Sequence, residues 1–425
     1  MTTVLHPALE IASAGTTAGT SADTSASTPT TTVQSPSRPV QSPAQSTPTP
    51  TTPAHPPTLS RLHAPTLTTL TDAVAANVER MRLATDATIM AVVKADGYGL
   101  GAVPVALAAV AAGAEWLGIT DVDDAAALRA AGIDVPILAW LNPSGVDAAR
   151  ALAHCVDVAA GSVDELRQLI ADVSAADAGR LRVHLHLDTG MARGGAPVKD
   201  WAELLRVARA GSAQIDVVGV MGHLPGADAA DPSVNAPAVL RMRQGRDAVL
   251  RAGFGPLIVH LAATSGTLTD PATHFDLVRV GAGLVGIDPS ETVALQGAAR
   301  LTASVVHSSV VPAGTSIGYG GTHVTERQTG IAVIGVGYAD GIPRELLPGA
   351  AVAIGGVRCE IVGRVSMDQI VVDTGERRMP RGSTAVVFGP DGGAVPSIQE
   401  WARWAGSIPH TIVTGIGPRV ERRTA

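Results

Sequence analysis

Aromatic side chains make up 3% of this 425-residue sequence and charged ones only 16%. Its cores must therefore be filled mainly by Ala, Val, Leu and Ile, as suits helices and buried parallel strands. Two cysteines, Cys155 and Cys359, stand far apart and outside any C-x-x-C pattern. That points away from a disulfide framework and from a zinc site, and fits a reducing compartment with no metal. No uninterrupted apolar run reaches membrane-spanning length, and the opening "MTTVLHPALEIASAGTT" lacks a basic n-region. No dense Lys/Arg cluster interrupts a net charge of -7, which argues against a nucleic-acid surface. The expectation is a soluble, cytoplasmic protein with small-molecule partners, binding neither nucleic acid nor membrane.

Apolar residues, at 46%, can supply large cores, and the length suffices for two domains. From about Gly15 to Pro57 the chain is Thr, Pro, Ser and Ala with almost no large apolar residue. Such a segment cannot bury enough to offset its ordering entropy. Residues 1–60 are read as a disordered tail outside the fold.

Past the tail, short β-branched runs alternate with Ala-rich helical segments, several of which end in glycine. Strands are expected at Thr88–Val93, Trp116–Ile119, Pro136–Trp140, Val156–Ala159, Arg182–Leu187, Ile215–Val220, Leu257–Leu261 and Leu277–Val280. Eight strand-helix units with continuous apolar strands point to a closed (β/α)8 TIM barrel over 61–300, an α/β fold, with an open doubly wound sheet as the alternative. From 301 to 425 the pattern changes to strands and turns. This reads as a mostly β C-terminal domain with a short amphipathic helix near Ile398–Trp404 and a basic tail.

In a barrel the chemistry sits at the C-terminal ends of the strands. The residues there are Lys94, Asp188, Arg193, His223, Thr264, Ser265 and the Gly281-Ala282-Gly283 run. "KADGYGLGA" matches neither a dinucleotide fingerprint nor a P-loop, since Gly101 falls one position early and Lys94 precedes its glycines. Its plain reading is a strand-end lysine followed by a loose turn. Barrels frequently hold phosphate at the last two strand ends, where Ser265 offers a hydroxyl and Gly281 and Ala282 let backbone N–H groups approach an anion. A lysine facing a phosphate-anchored small molecule suggests a Schiff base to pyridoxal 5'-phosphate (PLP).

Seven runs, "AVVKADGYGLG", "HLDTGMARGG", "HLAATSGTL", "LVRVGAGLVG", "SIGYGGTHV", "VGYADGIPR" and "GRVSMDQIVVD", together resemble the alanine racemase family over about residues 61 to 425. The resemblance implies PLP-dependent interconversion of L- and D-alanine, supplying D-alanine for peptidoglycan. It places PLP on Lys94, its phosphate on Tyr98 and Ser265 with the backbone at Gly281 and Ala282, His223 against the pyridine ring and Arg279 at the ring nitrogen. A guanidinium gives that nitrogen no proton, which limits electron withdrawal and disfavours transamination. It implies two bases on opposite faces of Cα, Lys94 and, from the partner of a homodimer with shared sites, Tyr319. Arg193 and the Met367 backbone would orient the substrate, and Tyr338 and Asp368 would line the entrance.

The chain departs from the family at His186, where a lysine is usual, at Leu100, where a histidine is usual, and near Pro418, where a C-terminal tyrosine is usual. The alternatives are a racemase of another small amino acid such as serine, and a non-catalytic PLP-carrying barrel. Basic amino-acid decarboxylases pair a PLP barrel with a β domain, but resemble a pattern with an acid where this chain has Arg279. Paired D-T-G triplets at Asp188 and Asp373 also raise an aspartic protease, which would be almost all-β.

Overall fold

The computed structural model of the chain describes residues 64–142, 145–177, 179–229 and 231–425. The tail expected at residues 1–60 lies outside them. After a first strand, β1 (Thr66–Thr69), eight parallel strands close into a barrel. They are β2 (Thr88–Val92), β3 (Trp116–Ile119), β4 (Ile137–Ala139), β5 (Val156–Ala160), β6 (Leu181–His186), β7 (Ile215–Met221), β8 (Ile258–His260) and β9 (Leu277–Val280). Closure is made by β9 pairing with β2, from Thr88 opposite Leu277 to Ala91 opposite Val280. Every strand expected from the sequence is present, with ends shifted by at most one residue.

The first barrel strands are legible because both of their faces are apolar. Ile89 and Ala91 of β2 pack outward into the large core, whereas Met90 and Val92 turn inward against Trp116, Leu138, Met221 and Leu277. Alternation between two buried faces leaves a continuous apolar run. The helices carry their own start signals. At Val163–Ala176 the Ser162 hydroxyl accepts the Glu165 N–H at 3.1 Å, and Glu165 returns a carboxylate oxygen to Gly161 N at 2.7 Å. Leu166, Leu169 and Val173 form the stripe this helix buries. Replacing Ser162 by Ala removes a cap worth about 1 kcal/mol.

The remaining strands are β10 (Ala299–Val311), β11 (Ser316–Ile317), β12 (His323–Val324), β13 (Thr329–Ile334), β14 (Ala351–Ile354), β15 (Val357–Glu360), β16 (Ile370–Gly375), β17 (Thr384–Phe388) and β18 (Glu421–Thr424). Their main sheet runs β15-β14-β17-β10-β1-β18, with β13 joining β10 to β16. Thus β1, which precedes the barrel, belongs to the second sheet. The expected helix occupies Ile398–Trp404, where fully buried Trp401 donates its indole N–H to Val387 O at 2.7 Å. The basic tail is not a loose end: β18 pairs in parallel with β1. A further short helix, Pro409–Thr414, packs against the segment that follows β2. Among the described residues no helix is long and apolar enough to cross a membrane.

Candidate active site

The segment after β2 is not the loose turn its glycines suggest. Ala95, Asp96, Gly97, Tyr98 and Gly99 all have positive φ, between 52 and 83°, so the chain makes a left-handed turn directly after Lys94. For each of the three non-glycine residues this conformation costs about 1–2 kcal/mol. Hydrogen bonds hold it: Gly97 N donates to Val93 O at 2.9 Å, Gly101 N to Asp96 O at 2.8 Å, and Ala102 N to the Asp96 carboxylate at 2.8 Å. Gly99 is required for a second reason, because a Cβ there would lie 2.6 Å from Val413 O on the Pro409–Thr414 helix.

The turn delivers Lys94 and Tyr98 to a cavity of about 450 Å³ at the C-terminal mouth of the barrel. His186, Arg193, His223, Ser265, Arg279, Gly281 and Ala282 line the same cavity. Burial, with the Arg193 and Arg279 guanidiniums, lowers the Lys94 amine below its ordinary value. Burial pushes the Tyr98 phenol up to about 12.

Arg279 is buried and held on all sides. Its Nη2 donates to Gly222 O at 2.7 Å and Leu261 O at 3.0 Å, and lies 3.3 Å from His223 Nδ1. Burial brings its pKa down to about 10, so it stays a cation near neutrality. A guanidinium only donates, so His223 Nδ1 accepts and the ring is neutral. Consistently, burial and then the Arg279, Arg193 and Lys94 charges lower His223 to about 3. Burial and the same two arginines lower His186 to about 4. His186 is thus a neutral group beside Arg193.

Arg193 is carried to the cavity by a turn that Asp188 organises, its carboxylate accepting Gly190 N at 2.9 Å and Ala192 N at 3.1 Å. Thr264 clips together the last two strand ends, its Oγ1 accepting Gly283 N at 3.0 Å and Gly281 N at 3.4 Å. Ser265 Oγ donates to Asp288 at 3.3 Å. Burial pushes the Asp288 carboxyl up, but hydrogen bonds from Ser290, Val293 and Thr292 outweigh it and hold the group below its ordinary value.

Tyr319, Tyr338, Met367 and Asp368 do not line this cavity in the same chain. They lie on the second domain, where Tyr319 is 72% exposed between Gly318 and Gly320, both with positive φ. The backbones of Tyr338 and Met367 run side by side, with Tyr338 N donating to Ser366 O at 3.0 Å and Ala339 N to Met367 O at 2.9 Å. Arg419 ties this patch together, its guanidinium reaching Asp340 at 3.2 Å and Asp368 at 2.6 Å.

Pro418 is exposed and plays no part in the cavity. The C-terminal residue that does line it is His410, whose ring lies 6.2 Å from that of Tyr98. Its Nδ1 is buried without a hydrogen-bond partner among the described residues. Burial and the Lys94 charge lower its pKa. No motif marked His410 in the sequence; only its place beside Gly99 in the fold does. Leu100 is a core residue. The two D-T-G triplets fall in different domains, and Asp373 of β16 is occupied by the Thr329 hydroxyl at 2.5 Å and Gly375 N at 2.7 Å.

Residues 70–289 match the family model "Alanine racemase, N-terminal domain" and residues 298–424 match "Alanine racemase, C-terminal domain". The alanine racemase of Salinispora arenicola is 43% identical over 357 residues, covering 83% of this chain and 95% of its own. That of Thermobifida fusca is 40% identical over 357 residues, with the same coverage of 83% and 95%. Among solved structures, alanine racemase from Streptomyces lavendulae superposes with a TM-score of 0.82 at 37% identity, covering 86% of this chain and 98% of that one. Alanine racemase from Bartonella henselae, with covalently bound pyridoxal phosphate, superposes with a TM-score of 0.74 at 25% identity over 85% of this chain and 99% of that one. With both family domains matched in order across the barrel and the sheet, the chain belongs to the alanine racemase family.

Proposed function

We propose that the cavity binds PLP through Lys94 and interconverts L- and D-alanine with Lys94 and the partner subunit's Tyr319 as opposed bases. The observation that carries this is a half-buried lysine of depressed pKa beside two arginines in one barrel-mouth cavity. The residues fit the cofactor. His410 Nδ1 is an orphaned buried polar atom, costing about 1–3 kcal/mol until it finds a partner, and in its Nδ1–H tautomer it would donate to a phosphate oxygen. Gly281 leaves room for the Tyr98 hydroxyl, which a Cβ would meet at 2.2 Å. Tyr98, Ser265 and His410, with the backbone at Gly281 and Ala282, would hold the phosphate. His223 would lie against the ring, with Arg279 at the ring nitrogen.

Bound PLP supplies the electron sink that allows an amino-acid Cα–H to ionise. The protein's task is to carry that proton. A lysine held below its ordinary pKa gives up its proton more readily than a free one, and so is better able to take a proton from one face of Cα. Arg193, brought in by the Asp188 turn, orients the carboxylate, with the Met367 backbone of the partner subunit assisting. Tyr319 serves the other face, and Tyr338 and Asp368 line the entrance. The exposure of Tyr319, Tyr338 and Met367, away from the cavity of their own chain, supports a homodimer with shared sites. Cysteine usage supports work in the cytoplasm, where the D-alanine made would serve peptidoglycan.

Racemising L-alanine in D2O tests the two-base reading. Two separate proton carriers predict that D-alanine acquires solvent deuterium at Cα in its first turnovers. Early product that keeps the substrate's own proton would mean that one base serves both faces and would overturn it.

A further inference from the structure

Four buried polar side chains form a row inside the barrel, and the mechanism above uses only the last. Asp157 on β5 is 3% exposed, His184 on β6 and His260 on β8 are fully buried, and Arg279 on β9 is 6% exposed. Asp157 Oδ2 lies 3.3 Å from His184 Nε2, His184 Nδ1 lies 2.9 Å from His260 Nε2, and His260 Nδ1 lies 3.1 Å from Arg279 Nη1. The carboxylate also takes Arg182 Nε at 2.9 Å. The His184 ring is walled in: a Cβ at Gly219 would come within 2.2 Å of its Nδ1, and Trp116 abuts it edge-on at 5.8 Å.

The two ends of this row dictate every hydrogen position. A guanidinium only donates, so His260 Nδ1 must be the acceptor. A neutral imidazole then carries its proton on Nε2, which donates to His184 Nδ1. By the same step His184 carries its proton on Nε2 and donates to the carboxylate. The reverse order fails, because it would set a His260 Nδ1–H against an arginine N–H. Protonating either ring also sets donor against donor, and burial, with the Arg279 charge, holds His260 far below its ordinary value.

We propose that Asp157 is a positioning residue for Arg279, acting through His184 and His260 locked as Nε2–H tautomers. The carboxylate near the start of β5 fixes the lone pair that His260 presents to Nη1. That contact, with Gly222 O and Leu261 O, sets the plane of the guanidinium. The inference rests on the reading that Arg279 faces the PLP ring nitrogen.

The test uses holoenzyme carrying ¹⁵N-histidine, with PLP labelled at the pyridine nitrogen. In the wild type, His184 and His260 give the Nε2–H pattern of ring ¹⁵N shifts. His260 found with its proton on Nδ1 would overturn the proposal without any variant. Asp157→Leu removes the acceptor at similar size. It should scramble the His184 and His260 tautomers, move the pyridine ¹⁵N shift, and lower kcat about tenfold with little change in KM, as for one lost hydrogen bond. Asp157→Asn, whose amide oxygen still accepts, should restore both sets of shifts. A folded Asp157→Leu protein with scrambled imidazoles but an unmoved pyridine signal overturns the coupling to Arg279. If Arg279→Gln itself leaves the pyridine signal unmoved, the assignment of Arg279 to the ring nitrogen is what fails, and the inference falls with it.

Discussion

Gly281→Ala isolates the approach of Tyr98 to Gly281, on which the proposed cofactor site depends. Gly281 has φ -122° and ψ -75°, outside the helical and extended regions, so any backbone cost of alanine is common to apo- and holoenzyme and the crowding is read from the difference between them. The new Cβ would stand 2.2 Å from Tyr98 Oη, 2.9 Å from Cζ and 3.1 Å from Cε2. An ordinary contact needs about 3.5 Å, so the phenol must move by roughly 1 Å. Tyr98 sits in the left-handed turn after Lys94 and cannot retreat into the core. It can shift into the cavity, where the phosphate would sit. The cost, about 1–3 kcal/mol for an overpacked contact, therefore falls on the holoenzyme. PLP affinity should drop about 5- to 150-fold, over and above any fall in the Tm of the apoenzyme that the backbone at Gly281 causes. Titrating apoenzyme with PLP and following its visible band measures the first quantity; thermal melts measure the second. Because the nearest atom is the hydroxyl oxygen, the Tyr98→Phe background should absorb much of the effect in a double-mutant cycle. Unchanged PLP affinity, or equal losses with Tyr and Phe at 98, would refute the argument.

Lys94 and Lys199 are the only lysines in the sequence, so borohydride reduction followed by peptide mapping should find PLP on Lys94 alone and none in Lys94→Ala. Tyr319→Phe should keep the PLP band but lose about 10²- to 10⁴-fold in racemisation, and mixing it with Lys94→Ala subunits should restore activity in heterodimers, where one site carries both changes and the other neither. His186 and His223 titrate near 4 and 3 in the folded chain against 6.5 ordinarily, so the unfolded chain takes up protons first. Apoenzyme stability should hold above about pH 6.5 and fall as pH drops toward those values, and thermal melts of His186→Gln should show a smaller fall. Deleting residues 1–60 should leave kcat and Tm unchanged, since the composition of that segment offers no core.

The barrel was legible because most of its strand positions are apolar and buried, on both faces in β2, β3 and β4, a pattern that survives without knowledge of neighbours. β1 was not: "TLTT" is too short to show alternation, and its partners β10 and β18 lie at the far end of the sequence. Residues at strand ends, such as Lys94 and Arg193, follow from barrel geometry. His410 could not be found that way, since a lone histidine on a six-residue helix acquires meaning only when that helix meets Gly99. Asp157, His184 and His260 sit within strands, where a polar residue looks outward until the register turns it in. The left-handed turn was not visible: glycine at 97 and 99 suggested only a loose turn, and Ala95, Asp96 and Tyr98 gave no sign.

The contact between Gly99 and Val413 O makes the two domains indivisible in practice. The lysine proposed to take the cofactor is aimed by a turn whose outer wall comes from the other end of the chain. A barrel expressed alone would keep its strands and lose the brace that lets five consecutive residues hold a left-handed path. Transplanting the Lys94 loop into another barrel would fail for the same reason, unless the short helix travelled with it. The unit that a designer could move, or that duplication could copy with function intact, is the pair of domains together.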